Sequence, residues 1–383
     1  MDMPKLRFRD SKGNNFLEWL YKSIKDIGTV YTGNTPTTSC LEYYGNEYPW
    51  ITPSDIQSDS VIFSSKKMLS ERGYQKCRQL PAGAVLITCI ASIGKNVILG
   101  KAGSCNQQIN AIVPKEDMSS YFILYALTMK TKDLLSLGGN GGMKIVKKSI
   151  FEKMLIPVPS LPEQQKIADF LSSYDEKISI QRERVESLER RKKGLLQKVF
   201  SQEIRFKAED GNEFPEWGKK KIEEICSHFK SGKYISASDI LPMGIYPVYG
   251  GNGIRGYANH FNHNGDYIVI GRQGALCGNV RRISGLNYCT EHAIAVQANS
   301  DNCTFFLEYL FIVMRLGQYS DQGAQPGLAV NKLVKLETEV PCLKEQEKIA
   351  TFFTAIDDQI NIERERLSTM ETIKKGLLQG LFC

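Results

Sequence analysis

Two stretches of the chain carry a stripe of apolar residues longer than an ordinary globular helix needs. In the first, Ile167, Leu171, Tyr174, Ile178, Val185, Leu188, Leu195 and Val199 return at alternating spacings of three and four, allowing for the polar interruptions Gln181 and Lys192. In the second, Ile349, Phe353, Ile356, Ile360, Leu367, Met370, Leu377 and Leu381 repeat the pattern, interrupted by Glu363 and Lys374. Such an a/d seam, kept over about five heptads, predicts a coiled coil. Pro162 and Glu163 suit a first helical turn, where proline has no N–H to lose and an acid favours the dipole. A helix from Pro162 to Phe200 would be about 58 Å long at 1.5 Å per residue. Two such helices are expected to pack antiparallel, with the globular region that precedes each at opposite ends. The charge runs "ERRKKG" and "TIKKGL" read as solvated coiled-coil faces, and "RERVESLERRKKG" is too polar for a fully buried core helix.

The stripes belong to an internal repeat. Residues 158–200 align without gaps to 340–382, at a constant offset of 182 from Pro159 to Pro341, with 23 of 43 positions identical. A second repeat precedes each half: "LRFRDSKGNNFLEW" (6–19) resembles "IRFKAEDGNEFPEW" (204–217), with Trp19 matching Trp217. The regions between, roughly 28–157 and 226–339, resemble each other only faintly, and the second is about 16 residues shorter. Near-identical flanks around divergent interiors imply one mechanical job done twice and two different jobs done by the interiors.

Those interiors show strand patterns followed by a helix pattern. "AVLITCI" (84–90), "NVILG" (96–100) and "INAIVP" (109–114) predict strands, and 119–137 a helix. "DYIVIGR" (266–272) and "HAIAVQ" (292–297) predict strands, and 303–319 a helix. The fold class expected is α+β: two globular α/β domains separated by two long antiparallel coiled-coil helices, with an internal pseudo-twofold repeat.

Composition narrows the function. The net charge of +7 is compatible with a nucleic-acid partner. No apolar run reaches the roughly 20 residues that span a bilayer, and "MDMPKLRFRD" lacks a signal-peptide core, so no membrane is expected. The ten cysteines are scattered with no C-x-x-C, which suits reduced thiols of a cytosolic protein and offers no zinc site. His260 and His263 read as loop histidines. The loops of both interiors combine Gly with Asn, Gln, Ser, Thr and Lys, residues able to meet base edges and phosphates. One at a time these are ordinary turns; together, on two copies, they point to recognition of a polymer. Candidate DNA contacts in the first interior are Thr32, Asn34, Thr35, Thr52, Ser54, Asp55, Lys95, Asn140, Lys144 and Lys147. In the second they are Lys233, Tyr234, Tyr249, Asn252, Arg255, Tyr257, Arg272, Gln325 and Lys332. Arg255 and Arg272 suit bidentate contacts to guanine, phosphate clamps or internal ion pairs alike.

The duplicated "P-x-L-x-E-Q-x-K-I-A" helix starts (159–168, 341–350), the "KKGLLQ" ends (192–197, 374–379) and the "LRF…G-N-x-F-x-E-W" openings resemble the specificity subunits of Type I restriction-modification systems. "PWITPSDI", "NQQ", "YPVYGGNGIRGY" and "AQPGL" also resemble parts of that family's target recognition domains. The resemblance implies target recognition domains at 1–158 and 201–340 and spacer helices at 159–200 and 341–383. It implies a cytoplasmic subunit of a prokaryotic host-defence complex that reads a split, asymmetric double-stranded DNA sequence. The helices would set the gap between half-sites and dock two methyltransferase subunits, to which restriction (endonuclease) subunits add. S-adenosylmethionine, ATP and Mg would belong to those partners, with no cofactor, metal or catalytic residue in this chain.

The chain itself carries no [DN]-P-P-[YF] and no G-x4-G-K-[ST]. Gly251, Gly253 and Gly256 spell G-x-G-x-x-G, but no helix pattern follows and no acid lies between Asp266 and Glu291, so a dinucleotide loop is not expected. The rival readings are a DNA-binding adaptor or regulator without a methyltransferase partner, and an enzyme with a hidden nuclease or nucleotide site.

Overall fold

The structure, a computed structural model, describes residues 4–138, 144–274, 276–321 and 327–382. It divides into two compact units, one of residues 1–184 with 364–383 and the other of residues 185–363. Each unit therefore holds the first part of one long helix and the last part of the other. Those helices are Leu161–Phe200 and Leu343–Phe382, 40 residues apiece. No helix among the described residues is long and apolar enough to cross a membrane.

The first unit is built on a five-stranded sheet in the order Gly28–Thr32, Ile109–Pro114, Val85–Thr88, Asn96–Leu99 and Val61–Ile62. The second repeats four of these strands as Cys226–Ser231, Ala293–Ala298, Tyr267–Gly271 and Val280–Ile283. Neighbouring strands are antiparallel except Val61–Ile62, which pairs parallel with Asn96–Leu99. The 119–137 helix pattern becomes two helices, Ser120–Met129 and Thr131–Ser136. The 303–319 pattern becomes Thr304–Met314, which stops where Arg315 turns left-handed (φ 47°) and a 3-10 turn follows.

The repeated flanks form a latch. Glu163 is fully buried, and its carboxylate accepts from Arg7 Nη2 at 2.7 Å and from Trp19 Nε1 at 3.2 Å. In the second unit Glu345 accepts from Arg205 at 2.9 Å and Trp217 at 3.2 Å. The paired carboxylates hold both guanidinium pKa values above their ordinary range. The next residue, Gln164, takes the backbone N–H of Ser119 at 3.0 Å and donates to Pro159 O at 3.0 Å, and Gln346 does the same with Cys303 and Pro341 at 2.9 Å each. Lys166 and Lys348 then reach the carbonyls of Arg9 and Lys207. The E-Q-x-K motif thus ties each long helix to its own opening box.

Within each unit the helix segments run antiparallel, held by ion pairs on the polar interruptions of the seam. Lys374 pairs with Asp175 in the first unit and Lys192 with Asp357 in the second. The Asp175 and Asp357 carboxylates also accept from Tyr125 and Tyr309, at 2.8 and 2.9 Å. The predicted seam residues Ile167, Leu171, Ile178, Ile349, Phe353 and Ile360 are buried, while Tyr174, Leu188, Leu195, Ile356, Met370 and Leu377 are half-buried. Toward the helix ends burial moves to Leu196 and Leu378, off the stripe, because these turns enter the unit cores. Leu378, Leu381 and Phe382 join the core of the first unit around Trp19 and Phe122, and Leu196 and Val199 that of the second.

Candidate nucleic-acid interface

In the first unit the polar loops converge on Cys105–Gln108, the segment that links Ser104–Cys105 to the central strand Ile109–Pro114. Asn34 donates its N–H to Cys105 O at 3.0 Å. Gly33 makes that approach possible, since a Cβ there would lie 2.2 Å from Cys105 O. Asn106 donates to Ile51 O at 2.9 Å, which brings in the Thr52–Asp55 turn. Cys89 donates to Gln108 O at 2.8 Å, and Val146 to Cys89 O at 2.8 Å, which brings in the loop before Lys147. Four separate stretches of sequence therefore share one rim.

The second unit builds the same rim on Cys289–His292. Lys233 donates to Cys289 O at 3.0 Å across Gly232, whose Cβ would fall 2.1 Å from that oxygen. Thr290 donates to Tyr249 O at 2.8 Å, Arg272 to His292 O at 2.9 Å and Leu328 to Arg272 O at 2.9 Å. The G-x-G-x-x-G stretch is a β-hairpin, Tyr246–Gly250 against Gly253–Ala258, with Gly251 and Asn252 at its tip. The stretch after "YPVY" thus returns as a second strand, which begins at Gly253 with φ +100°. The register slips between Val248 and Tyr249, leaving Arg255 as the extra residue of a bulge, a device that re-aims a side chain. No helix follows the hairpin, so it has no dipole to offer a pyrophosphate.

The predicted residues separate into three groups. Lys95, Lys144, Lys147, Lys233 and Arg255 are exposed and make no ion pair among the described residues. Asn252 is exposed at the hairpin tip and Tyr234 is 74% exposed. These seven offer cations, an amide and a ring to a ligand.

Others are spent on holding the rim. Asn34 Nδ2 donates to Lys76 O at 3.0 Å, and its Oδ1 accepts from Arg78 N at 2.6 Å. Asp55 accepts from Thr52 N and Oγ1 at 2.9 and 2.6 Å and from Lys66 N at 3.0 Å, while Ser54 bonds Thr52 at 2.9 Å. Arg272 is half-buried with its guanidinium on the carbonyls of Leu328 and Glu291 at 3.4 and 3.3 Å, hydrogen bonds within the unit in place of the ion pair that was one alternative. Lys332 pairs with Asp321 at 2.7 Å.

Thr32, Thr35, Tyr249 and Tyr257 lie between these groups. Thr32 donates to Asn110 at 2.8 Å and Thr35 to Gln107 at 2.6 Å, both from exposed positions. Tyr249 and Tyr257 are half-buried on the hairpin, and burial raises the Tyr249 phenol pKa. Asn140 and Gln325 lie outside the described residues.

Sequence reasoning passed over several rim residues. Arg78 stacks on the Tyr31 ring at 5.1 Å. Arg281 stands beside the hairpin turn, 3.2 Å from a Cβ on Gly253, while its neighbour Arg282 turns inward to Glu308 at 2.8 Å. Gln107 and Gln273 are exposed and His292 is half-buried on the rim itself. "NQQ" and "GRQG" held the glutamines in plain view, but nothing in the pattern gave the direction of Arg281 against Arg282 except strand alternation.

Among the described residues no group of three or more His, Cys, Asp or Glu is placed to hold a metal ion. Burial pushes the Cys105, Cys226 and Cys289 thiols up to about 12, so they stay protonated and inert at neutral pH.

Residues 17–190 and 215–372 match the family model of the Type I restriction modification DNA specificity domain. The chain is 31% identical over 362 residues to the Type I restriction enzyme EcoprrI specificity subunit of Escherichia coli, covering 90% of this chain and 88% of that one. It is 25% identical over 402 residues to the MjaVIII specificity subunit of Methanocaldococcus jannaschii, covering 95% and 92%. Among solved structures, the Type I restriction-modification S subunit from M. genitalium shares the fold with a TM-score of 0.69 at 19% identity, over 100% of this chain and 99% of that one.

Proposed function

Since the chain belongs to the family of Type I restriction-modification specificity subunits, we propose that its two rims each read one half of a bipartite, asymmetric DNA sequence. The observation that carries this is the twofold recurrence of one rim in one chain. Cys105–Gln108 and Cys289–His292 gather matching loops on the same backbone bonds, yet present different side chains. Two rims of one build with different chemistry suit two different half-sites.

Affinity comes from Lys95, Lys144, Lys147, Lys233 and Arg255 meeting phosphates, and is lost as salt rises. Sequence choice comes from the neutral polar side chains of the rim in the major groove. The long helices set the gap between half-sites and dock the methyltransferase subunits, which supply S-adenosylmethionine chemistry; restriction subunits join that complex. The chain is the non-catalytic address of a cytoplasmic assembly. The base to be methylated leaves the stack to reach the partner's active site, as base-modifying enzymes require.

Exchange of residues 226–339 for the corresponding region of another such subunit tests the reading. Methylation mapping across the genome is expected to show one half of the recognised sequence changed and the other kept. A change in both halves, or in neither, would overturn it.

A further inference from the structure

The rims anchor two exposed glutamines in the same way. Gln107 accepts at Oε1 from Thr35 Oγ1, 2.6 Å away. Gln273 has its Oε1 2.7 Å from His292 Nδ1. The other ring nitrogen, Nε2, lies 3.2 Å from Glu291 Oε1, so the His292 ring is held between the two side chains. In each case the amide oxygen is taken by a neighbour in its own unit. The amide nitrogen has no hydrogen-bond partner among the described residues. Each glutamine thus keeps both N–H donors unpartnered, while one of the two lone pairs of its oxygen is already taken.

A free glutamine reads adenine by accepting from N6 while donating to N7. A glutamine whose oxygen is held by a neighbour is less free to turn that oxygen onto N6 while its nitrogen meets N7. Its two donors instead suit a base edge with adjacent acceptors, and in the major groove that edge is guanine N7 and O6. We propose that Gln107 and Gln273 are specificity-determining residues that select guanine, one in each half-site, with Thr35 and His292 as the positioning residues that anchor the amide oxygen and leave the N–H donors to the base. This rests on the reading of the rims as DNA-binding surfaces.

The backbone supports the assignment. Gln273 follows the sheet strand Tyr267–Gly271 and bridges to Gly327, and its carbonyl lies 3.0 Å from where a Cβ on Gly251 would stand. It therefore sits beside the tip of the hairpin that carries Asn252 at its turn and Arg255 at its bulge. Gln107 sits between the Asn106–Ile51 and Cys89–Gln108 bonds, within the first rim. Both are held by strand-end backbone, which limits how far the amide can swing.

The test is methylation mapping in cells carrying the whole chain with its methyltransferase subunits, backed by competition binding of the purified complex to duplexes varied one position at a time. Gln273→Ala is expected to lower discrimination about 5- to 150-fold at a single guanine position of one half-site, the range that 1–3 kcal/mol represents. Gln107→Ala is expected to do so at a guanine of the other half-site only. Gln273→Glu reverses the chemistry from donor to acceptor and is expected to move the preference at that position toward cytosine, whose N4 donates. His292→Ala is expected to relax the same position as Gln273→Ala, with the double variant no worse than either single one. His292→Gln, which keeps a donor, is expected to retain the preference. A purely structural histidine would weaken the whole half-site instead.

An unchanged sequence with Gln273→Ala, or relaxation at an adenine, overturns the inference. So do effects of Gln273 and His292 at different positions. If Gln273→Ala abolishes methylation, the Gln273→Glu exchange decides: loss without a switch toward cytosine counts against the assignment. Failure of the underlying reading looks different, because the unmodified chain would then give no two-part methylated sequence at all.

Discussion

Glu163 and Glu345 are acids with no access to solvent, each matched to an arginine and a tryptophan from an opening box. Removing one partner of a buried pair leaves an uncompensated charge, which costs about 3–5 kcal/mol. Arg7→Ala is therefore expected to destabilise the first unit by about that amount, and Arg205→Ala the second, as read by denaturant unfolding. A second residue-scale effect concerns acid. His228, His263 and Tyr267 stack edge-on at 4.9 to 5.7 Å, and burial with the neighbouring His228 holds the His263 pKa down to about 4. Burial also lowers that of His228. An unfolded histidine titrates near about 6.5, so between about pH 6.5 and about 4 the unfolded chain binds protons that the native one refuses. Stability present above that window falls as the pH drops through it. Calorimetry is expected to show a melting temperature that declines across this range, with a shallower slope for His263→Gln.

At the scale of elements, the long helices show how a seam tolerates charge. Lys192 and Lys374 interrupt the apolar stripe, and each meets an aspartate of the facing helix segment in its unit. Reversing one charge, as in Asp175→Lys or Lys374→Asp, sets like charges face to face. Each single reversal is expected to lower urea stability by about 1–3 kcal/mol, and the double reversal to recover most of it. The helices, their antiparallel pairing and the strand-then-helix order were legible because periodicity and duplication are properties of sequence alone. The break at Lys130 was not, since "MKT" carries no proline or glycine to announce it. Nor was the inward turn of Arg272, whose partners are backbone carbonyls of Leu328 and Glu291 and leave no mark in the pattern. The rims were half legible: the loops could be named from their residue types, but their convergence depends on bonds between residues far apart in sequence.

At the scale of the whole molecule, the proposed spacer role gives a quantitative expectation. Removing one heptad from both helices in register shortens each by about 10.5 Å, close to three base pairs at 3.4 Å. The methylated sequence is then expected to lose about three base pairs between its halves, with both halves kept; an unchanged gap would rule the spacer out. Binding to DNA is expected to weaken steeply between about 50 and 200 mM salt, and Lys144→Ala or Lys233→Ala to flatten that slope by about one without changing the bases preferred.

The contribution of Phe382 to the first unit has a consequence in time. Its ring lies 5.9 Å from that of Trp19 and 5.5 Å from that of Phe122, so the core that opens near the start of the chain closes with the last residue described. The second unit needs only residues 185–363. On the ribosome, at about 5–20 residues per second, the stretch from 201 to 382 takes about 9–36 s to emerge. The unit begun first is thus finished last, and until then Trp19 and Phe122 wait with one side of their packing unfilled. Between the emergence of Glu363 and that of Phe382 only the first unit is still incomplete, so slow codons in that last stretch would bear on the first unit alone.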